Sequence, residues 1–185
     1  MPRNLSTDFP RPNRSRGFTL LEMLTTVAVL IIVLGLMVSL ARYVRNAMAV
    51  EVTKDLLHRI DWMMQQYAVR HGNTVPAVSP FLPADLPSHA LPDETTLRHN
   101  AEENNRSFVS LLRADGLLTD ESFGGLPQSI YNDAMLRDAW GSPIVFMPSM
   151  RPGIGMAPQD KPFFFSAGPD GRYLTQENNL YSYEK

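Results

Sequence analysis

The sequence predicts an α+β protein in which one long N-terminal α-helix packs on a small C-terminal antiparallel β-sheet. Three observations carry this. Met23 to Ala41 is a stretch of 19 residues without a formal charge, rich in Leu, Val and Ile. From Ala47 to Gly72 the chain continues in helical residues, and Leu56, Ile60, Met63, Met64 and Tyr67 recur at three- and four-residue spacing. Further on, Ile144-Val-Phe-Met and Phe163-Phe-Phe-Ser are short β-type runs bounded by Pro and Gly.

The apolar run Phe18–Ala41 is long enough to cross a bilayer, because a helix rises about 1.5 Å per residue and the hydrocarbon core is about 30 Å thick. It is too long for the apolar core of an ordinary secretory signal, and no turn follows it. Four arginines (Arg3, Arg11, Arg14, Arg16) stand before it against one acid, Asp8, so the leader is expected on the cytoplasmic side and the rest of the chain outside. Glu22 is out of place near the start of such a segment. A carboxylate taken into the bilayer centre costs about 3 kcal/mol on insertion scales and calls for a partner.

Beyond the span, the amphipathic stripe predicts helix up to His71, with Gly72 and Pro76 as the stop. Fifteen prolines are many for 185 residues, and those at 76, 80, 83, 87 and 92 predict a loop over 73–105. Ser107 to Leu118 predicts a short amphipathic helix ending at Gly116.

Composition excludes several classes of function. The formal net charge of −2 argues against a nucleic-acid-coating protein, which needs a surplus of Lys and Arg. Without cysteine there are no disulfides, thiol nucleophiles or Cys-ligated metals. His58, His71, His89 and His99 form no paired metal spacing, and Gly153-Ile-Gly155 lacks the third glycine of a dinucleotide loop. No residue set points to an enzyme, and the expectation is a non-catalytic protein.

Arg14-Ser-Arg-Gly17-Phe18-Thr-Leu-Leu-Glu22, followed by the apolar span, resembles the type IV prepilin signature. The resemblance implies that a prepilin peptidase cuts between Gly17 and Phe18 and methylates Phe18. It also implies that Glu22 pairs with the new amine of a neighbouring subunit and sets the stagger of a filament. Phe18 and Glu22 are four apart and share a helix face. A proline common in the family near the twenty-second mature position is Ser39 here, which puts the associated kink in doubt.

Asp138-Ala-Trp140-Gly141-Ser-Pro143 resembles the D-x-W-G-x-P segment of the major pseudopilins of type II secretion systems, and Ser166-Ala-Gly168-Pro-Asp170-Gly171 resembles their S-x-G-x-D-G. The family binds calcium in that last loop, so Asp170, Glu177 and Asn178 are the implied ligands, with an Asx turn as the alternative reading of Asp170. The expected organisation is a leader over 1–17, a membrane and filament-spine helix over 18–41, its amphipathic continuation over 42–72, a Pro-rich loop over 73–105 and a pseudopilin-like head over 106–185.

The function implied is a subunit of a periplasmic pseudopilus anchored in the inner membrane. Its partners would be prepilin peptidase, copies of itself, minor pseudopilins and an inner-membrane assembly platform, and no nucleic acid. The alternatives left open are a minor pilin serving adhesion, motility or DNA uptake, and an anchored binding domain that never polymerises.

Overall fold

The computed structural model describes residues 19–83, 92–123, 129–132 and 135–184. The chain divides into two compact units, residues 1–43 and 44–185. Helix α1 spans Leu20–Arg70, within two residues of the predicted limits at each end. It ends where Gly72 takes a left-handed φ of +72° and Asn73 N–H reaches back to Ala68 O at 2.7 Å, a glycine-terminated stop.

In the second unit α1 buries the predicted stripe. Leu56, Ile60, Met63 and Met64 are buried with Leu57, and Tyr67 packs on them half-buried. His58, on the other side, is exposed.

Helix α2 spans Glu94–Ala114, which corrects the expected loop over 73–105 and the expected short helix from Ser107. The last proline of the run is Pro92, and no Pro or Gly follows until Gly116. Asp93 then caps the helix, its carboxylate accepting from Thr96 N–H at 3.2 Å. The first half of α2 read as loop because it shows only Leu97 and Ala101 to the core, among polar neighbours.

The Pro-rich stretch up to Pro83 is irregular, as its prolines require, yet it does not float. Phe81 and Leu82 are buried, Asn100 Nδ2 donates to Phe81 O at 3.0 Å, and Ser79 N–H donates to Ser107 Oγ at 3.1 Å.

Two short sheets complete the head. Strands β1 (Tyr131–Asn132) and β2 (Met135–Leu136) pair antiparallel, and β3 (Val145–Met147), β4 (Phe163–Ser166) and β5 (Leu180–Tyr181) form an antiparallel sheet in that order. The two predicted runs pair with each other, Phe146 opposite Phe164.

Alternation along the strands splits the core in two. Ile144, Phe146 and Phe164 face α1 and the second half of α2, whereas Val145, Phe163 and Phe165 pack with Phe81, Leu97, Tyr173 and Tyr181.

Helix α2 runs along the outer edge of β3 from one core to the other, and two buried asparagines serve that edge as a partner strand would. Asn104 Oδ1 accepts from Phe146 N–H at 2.8 Å and its amide donates to Phe146 O at 3.0 Å. Asn105 Oδ1 accepts from Leu136 N–H at 2.9 Å while its amide donates to Leu136 O at 2.8 Å and Ile144 O at 2.6 Å. Each side chain presents the donor and acceptor that a peptide group would. At the other end of α2, Asp115 accepts from Arg70 and His71 at 3.0 Å each and ties the ends of α1 and α2 together.

Candidate functional site

Thr19-Leu-Leu-Glu22 is a T-x-x-E sequence, and the structure closes it as a capping box. Thr19 N–H donates to Glu22 Oε2 at 3.3 Å, and Glu22 N–H donates to Thr19 Oγ1 at 3.2 Å. The Thr25 and Thr26 hydroxyls return to Glu22 O at 3.0 Å and Met23 O at 2.9 Å. The polar side chains of the first two turns are therefore engaged within the helix.

From Val27 to Val38 the helix carries only apolar residues and one glycine, all of them exposed. Leu30, Ile31, Ile32, Val33 and Leu34 are five successive large apolar residues, all exposed. Helix α1 is long and apolar enough to cross a membrane, and none of its apolar window is buried within the protein. That separates it from the core helix of a soluble domain, which hides such a run inside. Gly17, Phe18 and the leader 1–17 lie outside the described residues.

In the head, the two family-like segments meet. Asp138 is buried, and its carboxylate accepts from Trp140 N–H at 3.0 Å, Ser142 N–H at 2.8 Å and Ser166 Oγ–H at 2.7 Å. Ser166 Oγ in turn accepts from Gly168 N–H at 3.0 Å. Thr53 of α1, also buried, holds the same loop by accepting from Ala139 N–H at 3.1 Å. Pro143 O receives the Tyr173 hydroxyl at 3.0 Å.

Gly168 is required twice over, since its φ is +68° and a Cβ there would lie 1.9 Å from Asn178 O. Asp138 thus fastens the D-x-W-G-x-P loop to the S-x-G-x-D-G loop, and Thr53 holds the result against the helix. Sequence reading found both segments but missed Thr53, Asn104, Asn105 and Tyr173.

Burial raises the Asp138 carboxyl above the ordinary aspartate value, the donated hydrogen bonds offsetting only part of the effect. A folded value above the unfolded one contributes stability at acid pH that is lost as pH rises through the folded value. Asp138→Asn lacks this slope. Wild type should therefore gain stability relative to Asp138→Asn as pH is lowered to about 4, measured by paired urea unfolding curves. Asp138→Ala strands three donors and should lose about 3 kcal/mol at pH 7 in the same assay.

The proposed calcium ligands come together only in part. Asp170 Oδ1 accepts from Arg172 N–H at 3.0 Å, which is the Asx turn, and Oδ2 accepts from Asn178 Nδ2 at 2.9 Å. Burial is the largest single influence and raises the Asp170 carboxyl, but the hydrogen bonds from Asn178, the Arg172 backbone and Thr175 together hold it below the ordinary aspartate value. Glu177 is exposed, and no contact places it beside them. Asn179 Oδ1 is buried without a donor, but a lone neutral oxygen does not make a cage of six to eight ligands. Among the described residues no three His, Asp or Glu side chains gather.

The prokaryotic N-terminal methylation motif matches the chain over residues 12–38, which takes in Gly17, Phe18, Glu22 and most of the apolar span. The chain carries a type IV prepilin-like signal. That prepilin-like signal implies processing by prepilin peptidase and assembly as a pilin-like protein, and the exposed apolar helix behind it is consistent with membrane anchoring. No curated protein and no solved structure is significantly similar to the chain.

Proposed function

We propose that this prepilin-like chain is a structural subunit of a periplasmic pseudopilus of a type II secretion system. After cleavage it would assemble with copies of itself and minor pseudopilins on an inner-membrane platform, and drive export of folded proteins. The reading assigns it no catalysis.

The observation that carries the pseudopilus reading is the Asp138–Ser166 hydrogen bond at 2.7 Å, which joins the two segments resembling major pseudopilins into one buried unit. A minor pilin of a type IV pilus shares the signal and the helix and is the alternative reading. The capping box keeps Glu22 at the start of α1, where the resemblance calls for pairing with the amine of a neighbouring Phe18.

The test is the intact mass of the protein recovered from membranes with and without an active prepilin peptidase. The expected product begins at Phe18 and carries one extra methyl group, and Gly17→Val should leave the chain uncut. A mass corresponding to the full chain in the presence of the enzyme would overturn the reading. Secretion of the system's cargo, lost on deletion and restored by the wild-type chain, separates pseudopilus from pilus.

A further inference from the structure

The sequence holds ten methionines, and the fold sorts those it describes by access. Met23 and Met37 lie in the apolar span, and Met48 is exposed further along α1. Met63, Met64, Met135 and Met147 are buried, with exposures of 7%, 5%, 8% and 5%. Met150 and Met156 differ from those four. They stand on the loop between β3 and β4, 43% and 54% exposed.

That loop is held in place without help from either thioether. Arg151 N–H donates to Gly155 O at 2.9 Å, and Gly155 N–H donates back to Arg151 O at 3.0 Å. Ile154 is buried in the second core, and its carbonyl accepts the Tyr181 hydroxyl at 2.5 Å. Asp160 Oδ1 accepts from Met150 N–H at 2.7 Å. Gly155 lies flat on the aromatic rings, since a Cβ there would meet Tyr181 at 2.8 Å and Phe163 at 2.9 Å. Backbone bonds and buried neighbours fix the loop, and the two methionine side chains are left to solvent.

The two are also placed together. Arg151 and Gly155 form an isolated antiparallel bridge, so Met150 and Met156 flank it as opposite positions of one register. Opposite positions of an antiparallel pair carry their side chains to the same face.

A thioether is a two-electron reductant for peroxides. Its sulfur lone pair attacks one peroxide oxygen, the O–O bond breaks and an S–O bond forms. The other oxygen leaves as hydroxide and takes a proton, so sulfide and hydrogen peroxide give sulfoxide and water. Two thiols reverse the step in a methionine sulfoxide reductase, closing to a disulfide while the oxygen leaves as water. The chain has no cysteine to compete for the oxidant. In a core the new oxygen would be a polar group without a partner, which costs stability. At the exposed Met150 and Met156 water solvates it.

We propose that Met150 and Met156 are a reversible oxidation site, taking oxygen from hydroperoxides and yielding it to a methionine sulfoxide reductase while the head stays folded. The site is independent of the pseudopilus reading, because it needs only the folded head.

The test treats the full chain in detergent with hydrogen peroxide and follows each methionine by peptide mass spectrometry. Met150 and Met156 should gain one oxygen each at a rate like that of exposed Met48, and about tenfold faster than the four buried methionines. The chain oxidised at both should keep the thermal midpoint of the untreated protein. The reductases for the two sulfoxide epimers, with dithiothreitol, should remove both oxygens. Chain recovered from peroxide-treated cells should carry more of both sulfoxides where those reductases are deleted.

Oxidation of Met150 and Met156 no faster than that of the buried four would overturn the proposal. So would a lowered midpoint on their oxidation alone, sulfoxides that the reductases leave in place, or equal sulfoxide content in cells with and without them.

Discussion

Asn105→Leu should destabilise the head by about 4 kcal/mol, and Asn104→Leu by a similar amount. Each substitution removes three hydrogen bonds from a buried position. The leucine is close in volume, so the loss is not one of packing. It is the stranding of Leu136 N–H, Leu136 O and Ile144 O in one case, and of Ser79 O and both groups of Phe146 in the other. A buried polar group left without a partner costs about 1–3 kcal/mol, reduced where water or a small shift reaches it.

Asn105→Asp should be as damaging at neutral pH. Its carboxylate can still accept from Leu136 N–H, but it would face two carbonyl oxygens that now receive a donor. Thermal unfolding of the full chain in detergent would measure both variants. A loss below 1 kcal/mol for Asn105→Leu would mean that the amide does not bridge the two strands.

Glu22→Gln should leave membrane insertion and processing intact and still lower assembled subunits at least tenfold. A glutamine can keep the capping box, because its side-chain oxygen accepts from Thr19 N–H as the carboxylate does. What it lacks is the charge, and with it the means to neutralise the amine of a neighbouring Phe18. The variant thus separates the two uses of one side chain. Intact mass gives the processing, and the sheared fraction gives the assembly. Wild-type assembly by Glu22→Gln would confine Glu22 to starting its own helix. Glu22→Ala removes both uses and should be defective in both measurements.

How far the fold could be read depended on how each element announces itself. Helix α1 carried two independent periodic signals, a charge-free run and a three-to-four stripe, and its limits came out within two residues. Strands β3 and β4 announced themselves as apolar runs between Pro and Gly. Strand β5, only Leu180–Tyr181, has no such run, because a two-residue strand carries no period.

Helix α2 was cut short in the reading because its core face holds two asparagines where an amphipathic pattern expects apolar residues. Adjacent asparagines inside a helix are poor helix formers, and that mismatch was itself a sign that they serve a distant partner. The T-x-x-E box at Thr19–Glu22 was written in the sequence and passed over in favour of the charge. The Asp138 junction could not be read at all, since it joins residues 28 apart through contacts that only the closed fold creates.

The edge of β3 has one more consequence for the proposed filament, in which the chain would stand beside many copies of itself. An open strand edge is a template for the first extended segment that meets it, and crowding makes such meetings frequent. Here Phe146 offers neither its N–H nor its carbonyl to a stranger, since Asn104 already holds both. Copies of the head can be pressed together, sheared and taken apart without their sheets fusing at this edge. Losing that guard would show first as material that sediments irreversibly, in preparations where the remaining folded heads still look intact.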